Sequence, residues 1–103
     1  MSASPAVARG AHILVIDDDP RLRGLLERYL RQHGHMVSTA GDAAEARAQM
    51  ARLAFDLLVL DVMLPDEDGV SLTRALRRTS ELPVLLLTAR GEPEDRIAGL
   101  EGG

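Results

Sequence analysis

The chain has 103 residues, of which 46% are hydrophobic and 27% are charged, and its formal net charge at pH 7 is −4. This length suits one domain, because a single hydrophobic core usually needs about 100 to 150 residues. No apolar run reaches the length of about 20 residues that a membrane span requires, and the acidic balance argues against a broad nucleic-acid-binding surface. Cysteine is absent, which excludes disulfides, thiolate zinc sites and cysteine nucleophiles.

The N-terminal residues 1–11 are small and polar and contain no apolar stretch of signal-peptide length. We therefore expect a flexible leader over 1–11, one domain over 12–103 and a location in the cytoplasm. All 12 basic residues of the chain are arginines, so any function that requires a lysine is disfavoured.

The first half of the chain predicts the order β-α-β-α. Residues 13–16, Ile-Leu-Val-Ile, form the unbroken apolar run typical of a strand buried on both faces of a parallel sheet. Asp19 is an N-cap in front of a proline and of leucines at helical spacing, which predicts a helix from 20 to 33. A β-prone run follows at 36–39, and a capping-box pattern begins an alanine-rich helix over 42–53.

The second half continues the same alternation. Residues 57–60 predict a third buried strand, and a turn-rich loop at 65–69 precedes a helical stripe over 72–76. A fourth strand is predicted at 84–87 and a short helix at 94–101. Strands that alternate with helices predict an α/β fold with a doubly wound parallel sheet, because right-handed βα crossovers place helices on both faces.

Candidate functional residues follow the predicted strands. Open α/β sheets bind ligands beyond the carboxyl ends of their strands, where Asp17 and Asp18, Asp61, and Thr88 are found. Three carboxylates brought together there would repel one another unless a cation offsets their charge. Oxygen ligands without histidine or cysteine select a hard ion, so the sequence predicts a Mg²⁺ site.

Asp61 is the best placed nucleophile, because it stands alone at the tip of an apolar strand. A carboxylate beside Mg²⁺ can attack phosphorus and form an acyl phosphate. Asp17 and Asp18 are then suited to hold the ion, and the Thr88 hydroxyl to donate a hydrogen bond to the transferred phosphoryl group.

Several polar residues have simpler interpretations. Asp19 is interpreted as a helix cap, and residues 66–68 as a solvated acidic loop. His12 is interpreted as a surface residue in front of the first strand, and His33 and His35 flank a helix stop at Gly34. Each candidate site residue would be unremarkable alone, so the prediction depends on their coincidence at three strand ends.

Three motifs carry a family resemblance. They are Ile-Leu-Val-Ile-Asp-Asp-Asp, Asp-Leu-Leu-Val-Leu-Asp-Val-Met-Leu-Pro-Asp-Glu-Asp-Gly and Pro-Val-Leu-Leu-Leu-Thr-Ala-Arg, at 13–19, 56–69 and 83–90. Together they resemble the receiver domain of bacterial two-component response regulators, from about His12 to Gly103. The resemblance implies a flavodoxin-like sheet of strand order 2-1-3-4-5 and a signalling switch that is not an enzyme beyond its own phosphorylation and dephosphorylation.

The resemblance also implies roles for particular residues. Asp61 would accept a phosphoryl group from a sensor histidine kinase, Thr88 would be the switch hydroxyl, and Ala89 would keep the phosphoryl pocket open. The implied Mg²⁺ ligands are Asp17, Asp18, Asp61 and the backbone carbonyl of Met63.

The stretch 88–101 further resembles the OmpR/PhoB type of response regulator, whose members carry a winged-helix DNA-binding domain after the receiver. This implies control of transcription through an output domain outside these residues, a homodimer formed through the side of the fourth helix, and no membrane partner. Receivers continue into a fifth strand, which ends in a lysine, and a fifth helix. The chain is then either a fragment of a longer regulator, which the sequence favours, or a shortened protein with impaired switching. If it ends at 103, we expect it to self-associate through its fourth strand and fourth helix, or to be the remainder of a longer chain.

Two other functions would use a similar fold. A haloacid-dehalogenase-type phosphatase also has an aspartyl nucleophile and Mg²⁺, and Asp17 with Asp19 mimics its paired acids, but it requires a lysine. A flavodoxin would hold FMN in the same crevice, although the three acids would repel the FMN phosphate. Turnover of a phosphate ester would support the first alternative, and a coloured purified protein the second.

Overall fold

The computed structural model of the protein describes residues 10–87, which form four strands and three helices. In chain order these are β1 (His12–Ile16), α1 (Pro20–Gln32), β2 (Met36–Ala40), α2 (Ala43–Arg52), β3 (Leu57–Asp61), α3 (Gly69–Arg77) and β4 (Val84–Leu87). The strands form one parallel sheet in the order β2-β1-β3-β4. The predicted doubly wound, flavodoxin-like class is therefore confirmed, while the helix predicted at 94–101 lies outside the described residues.

The core occupies both faces of the sheet, which explains the unbroken apolar runs of the central strands. Alternate residues of β1 point to opposite faces, so Ile13 and Val15 pack with the apolar stripe of α1. Leu14 and Ile16 pack on the other face with α2, α3 and alternate residues of β3. Strands covered on both sides need apolar residues at every position.

The turn between α1 and β2 depends on glycine. Gly34 follows the last turn of α1 directly. Its φ is 90°, a backbone conformation that residues with a side chain rarely adopt. Its amide donates to the Arg31 carbonyl at 3.0 Å, and the next amide, of His35, donates to the Leu30 carbonyl at 3.2 Å. This is the Schellman arrangement, which satisfies the last helical carbonyls and sends the chain back along the sheet.

Most predicted boundaries agree with the structure to within one residue, and the main exception is α3, which begins at Gly69, three residues before the helical stripe predicted from 72. Asp61 is the last residue of β3 itself, and the loop predicted to end at Gly69 gives way to α3 at that glycine. The packed structure begins before His12, because Ala11 is fully buried and its carbonyl accepts a hydrogen bond from the Met36 amide at 2.9 Å. No helix within residues 10–87 combines the length and the apolar character needed to cross a membrane.

Candidate functional site

The carboxyl ends of β1 and β3 meet at the middle of the sheet. These strands are neighbours, with Ile16 paired to Leu60, so the residues that follow the pair lie side by side. Carboxylate oxygens of Asp17, Asp18 and Asp61 all lie within 4.8 Å of one another. The structure therefore brings together the three acids that the sequence places at separate strand ends.

Asp17 is held in place by backbone contacts. Its side chain is only 2% exposed, and its Oδ1 accepts a hydrogen bond from the Asp19 amide at 2.8 Å. The Asp17 amide continues the pairing with β2 by donating to the Ala40 carbonyl at 3.0 Å. Arg23, on the first turns of α1, donates from its guanidinium to the Asp17 carbonyl at 2.7 Å. Asp17 is thus fixed to a strand on one side and to a helix on the other, whereas Asp18 is exposed.

The next acid, Asp19, has the separate role that the sequence predicted. Its Oδ1 accepts a hydrogen bond from the Arg21 amide at 2.9 Å and a longer one from the Leu22 amide at 3.5 Å. It is therefore the N-cap of α1.

Asp61 is buried at the tip of β3, with 4% of its surface exposed. Its Oδ1 accepts a hydrogen bond from the Met63 amide at 3.2 Å, two residues further on. The amide of Val62 donates to the Leu87 carbonyl at 3.1 Å, so the backbone after Asp61 is still held by β4. These contacts orient the carboxylate and hold the backbone that follows it.

The remaining predicted residues are only partly covered by the structure. Met63 lies in the loop after Asp61 with an exposed side chain, and the role of its carbonyl as a metal ligand stays a prediction. Thr88 and Ala89 lie outside the described residues, so their roles also stay predictions. Leu87, the residue before Thr88, is paired with Asp61 in the sheet register.

The three carboxylates fit a magnesium ion. Mg²⁺ binds oxygen at about 2.1 Å in octahedral geometry, so its ligand oxygens lie about 3.0 Å apart when adjacent and about 4.2 Å apart when opposite. The three carboxylate oxygens lie within 4.8 Å of one another, so small side-chain adjustments would bring them to those separations. Two of the three acids, Asp17 and Asp61, are buried, and carboxylates that lie this close together repel one another. A divalent cation with oxygen ligands would offset that repulsion.

Residues 66–68 form an exposed acidic loop as predicted, since Asp66 and Asp68 are exposed, but each of the three acids also has a defined partner. Asp66 accepts hydrogen bonds from the amides of Ala43 and Ala44, at 2.9 and 3.0 Å, at the start of α2. Glu67 forms an ion pair with the guanidinium of Arg47 on α2. Asp68 caps α3, because its carboxylate accepts a hydrogen bond from the Val70 amide at 2.8 Å.

These contacts change the acidity of the groups involved. The backbone donor of Ala43 is the largest reason that the pKa of Asp66 lies below its ordinary value of 3.8. The hydrogen bond with Glu67 is the largest reason that the pKa of Arg47 is raised. Nothing local in the sequence signals either contact, since the partners are 20 or more residues apart. The cap by Asp68 does have a local signal, an aspartate just before a helical stripe.

His12 also differs from its prediction as a surface residue in front of the first strand. It is the first residue of β1 and is half-buried, with Nε2 at 2.9 Å from the Ser38 hydroxyl. Its ring lies against Phe55 with the centroids 4.4 Å apart. His12 is at the opposite end of β1 from Asp17, so it is not a ligand of the acidic site.

Comparison with known proteins shows the family to which this chain belongs. Residues 13–103 match the response regulator receiver domain family, and the chain belongs to it. The chain is 54% identical to protein PetR of Rhodobacter capsulatus over 103 residues, which cover all of this chain and 41% of PetR. It is 46% identical over 96 residues to the transcriptional regulatory protein AruR of Pseudomonas aeruginosa, covering 88% of this chain and 39% of AruR.

Solved structures agree with the sequence relatives. Response regulator protein TrrA of Thermotoga maritima, in complex with Mg²⁺ and BeF, has a TM-score of 0.73 and is 28% identical, over 87% of this chain and 79% of TrrA. The chain spans about two fifths of the length of the sequence relatives. The comparisons give no support to the haloacid-dehalogenase alternative.

Proposed function

We propose that this domain is a phosphorylation-dependent switch of a two-component system, in which a sensor histidine kinase transfers a phosphoryl group to Asp61. One observation carries the proposal. The carboxylates of Asp17, Asp18 and Asp61 converge within 4.8 Å at the carboxyl edge of the two central strands, in a chain of the receiver family. The domain proposed to act as this switch extends from the first strand to 103.

The chemistry is a transfer of phosphoryl from nitrogen to oxygen. A carboxylate oxygen of Asp61 attacks phosphorus, an O–P bond forms, and the P–N bond of the kinase phosphohistidine breaks as the imidazole takes up a proton. Mg²⁺, when bound, offsets the negative charge of the phosphoryl oxygens. Its proposed ligands are Asp17, Asp18, Asp61 and the Met63 carbonyl. The domain consumes one phosphoryl group per cycle, as a signalling domain does, and turns over no separate substrate.

The proposed readout of phosphorylation lies at the end of β4. The Thr88 hydroxyl would donate a hydrogen bond to a phosphoryl oxygen, and the small Ala89 side chain would leave space for the group. The register supports this assignment, because Leu87 pairs with Asp61 and Thr88 is the next residue in the chain.

The proposed output is transcription. AruR and TcrA, which are 46% and 48% identical to this chain, are named transcriptional regulatory proteins, and the chain covers only 39% and 38% of their lengths. We propose an OmpR/PhoB-type regulator in the cytoplasm that contacts DNA through its output domain. A homodimer through the side of the fourth helix would be the phosphorylated form.

The proposal is tested by labelling the protein with acetyl phosphate in the presence and absence of Mg²⁺. We expect Mg²⁺-dependent gain of one phosphoryl group, and loss of that gain in Asp61→Asn. Asp56→Asn is the matched control, because Asp56 precedes the opposite end of β3 and holds the His12 amide at 2.8 Å. Equal labelling of Asp61→Asn and Asp56→Asn would refute the proposed function.

A further inference from the structure

We infer that Asp66 and Glu67 form a clamp between α2 and the β3–α3 loop, residues 62–68, and that this clamp positions the Met63 carbonyl for the metal ion. The inference rests on the proposed function, since the carbonyl matters there as a magnesium ligand. Asp66 and Glu67 would be positioning residues, which act on the site through the loop backbone and do not touch the ion.

The clamp has two points of attachment to α2. The Asp66 carboxylate accepts from two successive backbone amides, those of Ala43 and Ala44, at 2.9 and 3.0 Å. One turn further along the helix, both terminal nitrogens of Arg47 bind the Glu67 carboxylate, the second at 3.1 Å. Two planar, bidentate contacts by adjacent residues fix the orientation of the loop as well as its distance from the helix.

The helix does not depend on the clamp for its first cap. Asp42, the residue before α2, already accepts a hydrogen bond from the Glu45 amide at 2.8 Å. The Glu45 carboxylate in turn accepts from the Gly41 amide at 2.9 Å. α2 therefore already has its own cap, and Asp66 adds a second set of contacts to it. These additional contacts hold the β3–α3 loop against the helix.

The loop is short enough to transmit this restraint to the site. Four residues separate Asp66 from Asp61, and Met63 is in the middle of them. The Met63 amide is bound to the Asp61 carboxylate at 3.2 Å, and a bridge between Met63 and Asp68 closes the loop. Asp66 and Glu67 lie between Met63 and its bridge partner Asp68, so releasing them from α2 would remove one restraint on the loop and give the Met63 carbonyl more freedom.

Electrostatics and geometry predict opposite changes in Mg²⁺ affinity when the helix partner of Glu67 is removed. Arg47→Ala removes a positive charge from the neighbourhood of an acidic site, which by electrostatics alone would tighten Mg²⁺ binding. The same change releases Glu67, which by geometry would loosen it. Asp66→Ala and Asp42→Ala provide a second comparison, because each removes one negative charge and one cap of the same helix, and only Asp66 holds the loop.

The test is a Mg²⁺ titration of the 103-residue chain and these three variants, followed by NMR, with amide hydrogen exchange of the metal-free proteins. Loss of a residue that orients a metal ligand typically weakens metal binding about 10- to 100-fold, and we expect about 10-fold for Asp66→Ala because a single carbonyl is affected. Arg47→Ala should weaken binding in the same direction. Asp42→Ala should leave it within about 3-fold, as expected for a charge partly screened by solvent.

The outcomes separate the clamp from the proposed function. Equal affinities of Asp66→Ala and Asp42→Ala, or tighter binding by Arg47→Ala, would overturn the clamp. If the unmodified chain binds no Mg²⁺, the proposed function fails, and hydrogen exchange then decides on the clamp alone. Faster exchange of the Met63 and Gly69 amides in Asp66→Ala than in Asp42→Ala supports it, and equal exchange contradicts it.

Discussion

Gly69 shows how closely the backbone is packed around the proposed phosphorylation site. A Cβ placed on Gly69 would lie 2.9 Å from Cα of Val62 and 3.2 Å from the carbonyl carbon of Asp61, and closer still to the Asp61 carbonyl oxygen. Its amide donates to the Val62 carbonyl at 2.7 Å. The obstacle is backbone, which cannot rotate away as a side chain can. Glycine is therefore required at position 69 because the backbone of Asp61 and Val62 approaches so closely. The reason is not its backbone angle, since its φ is not positive.

We predict that Gly69→Ala destabilises the domain by about 1 to 3 kcal/mol, the usual cost of forcing an additional carbon into a packed region. Gly24→Ala is the matched control. Gly24 is inside α1, where an added Cβ would meet only the end of the flexible Arg28 side chain at 3.9 Å. Alanine should stabilise that helix by about 0.5 to 1 kcal/mol. Urea unfolding of both variants measures the two changes in the free energy of unfolding. A Gly69→Ala variant as stable as the wild type would contradict the close backbone approach.

A second prediction at the residue scale concerns Asp18, which is exposed and lies beside two buried acids. In Asp18→Asn the metal-free protein should be slightly more stable, because one charge of a repelling cluster is removed. With Mg²⁺ the order should reverse. An ion that binds only the folded state stabilises it by about 2.7 kcal/mol at 100 times its Kd, and the variant has lost a ligand. Unfolding with and without Mg²⁺ tests this, and an unchanged order would argue against Asp18 as a ligand.

At the scale of secondary-structure elements, the junction between α2 and the β3–α3 loop should be sensitive to acid. The pKa of Asp66 lies below its ordinary value of 3.8, chiefly because the Ala43 amide donates to the ionised form. A lowered folded-state pKa means that the contact stabilises the domain above the unfolded-state pKa. That contribution is lost as the pH falls through the lowered value.

We therefore predict that the stability difference between the wild type and Asp66→Asn depends on pH. The wild type should be more stable at neutral pH, because the ionised carboxylate also interacts favourably with the N-terminus of α2. The difference should decrease below about pH 4 and disappear once Asp66 is protonated. Urea unfolding at a series of pH values measures it. A difference that stays constant through the acid range would show that the charge of Asp66 is irrelevant.

Elements and site were predictable from the sequence to the extent that their signals are local. The central strands are covered on both faces, so the runs at 13–16 and 57–60 carry no polar residue to obscure them. Because the strands are parallel, acids that follow them had to meet at one edge. The partners of Asp66 and Glu67 could not be predicted, since they come from a helix some 20 residues earlier in the chain. The roles of Thr88 and Ala89 stay predictions.

The strand at the border of the described sheet shows a different limit of sequence reasoning. The apolar run at 84–87 predicts a strand, and its pattern is the same as in the central strands. In the structure the residues of β4 are mostly half-buried, and Leu86 is 38% exposed. The apolar pattern reports which residues form a strand, whereas their degree of burial depends on which elements pack on it.

At the scale of the whole molecule, the fold separates its two ends. The carboxyl ends of the strands collect the acids of the proposed site, while contacts at the opposite end include that of His12 with Phe55 and the hydrogen bond from the His12 amide to Asp56. Asp61 is therefore connected to the rest of the domain by the loops and helices that follow the strands at this edge of the sheet. The loop after β3 and the start of α2 are two of them.

Asp61 is the proposed carrier of the phosphoryl group. The most direct measurement is to phosphorylate the protein with acetyl phosphate and Mg²⁺, reduce the acyl phosphate with borohydride, and locate the resulting homoserine by peptide mass spectrometry. We predict homoserine at position 61 alone, and none when Mg²⁺ is withheld. Homoserine at position 17 or 18, or modification that is independent of Mg²⁺, would contradict the account.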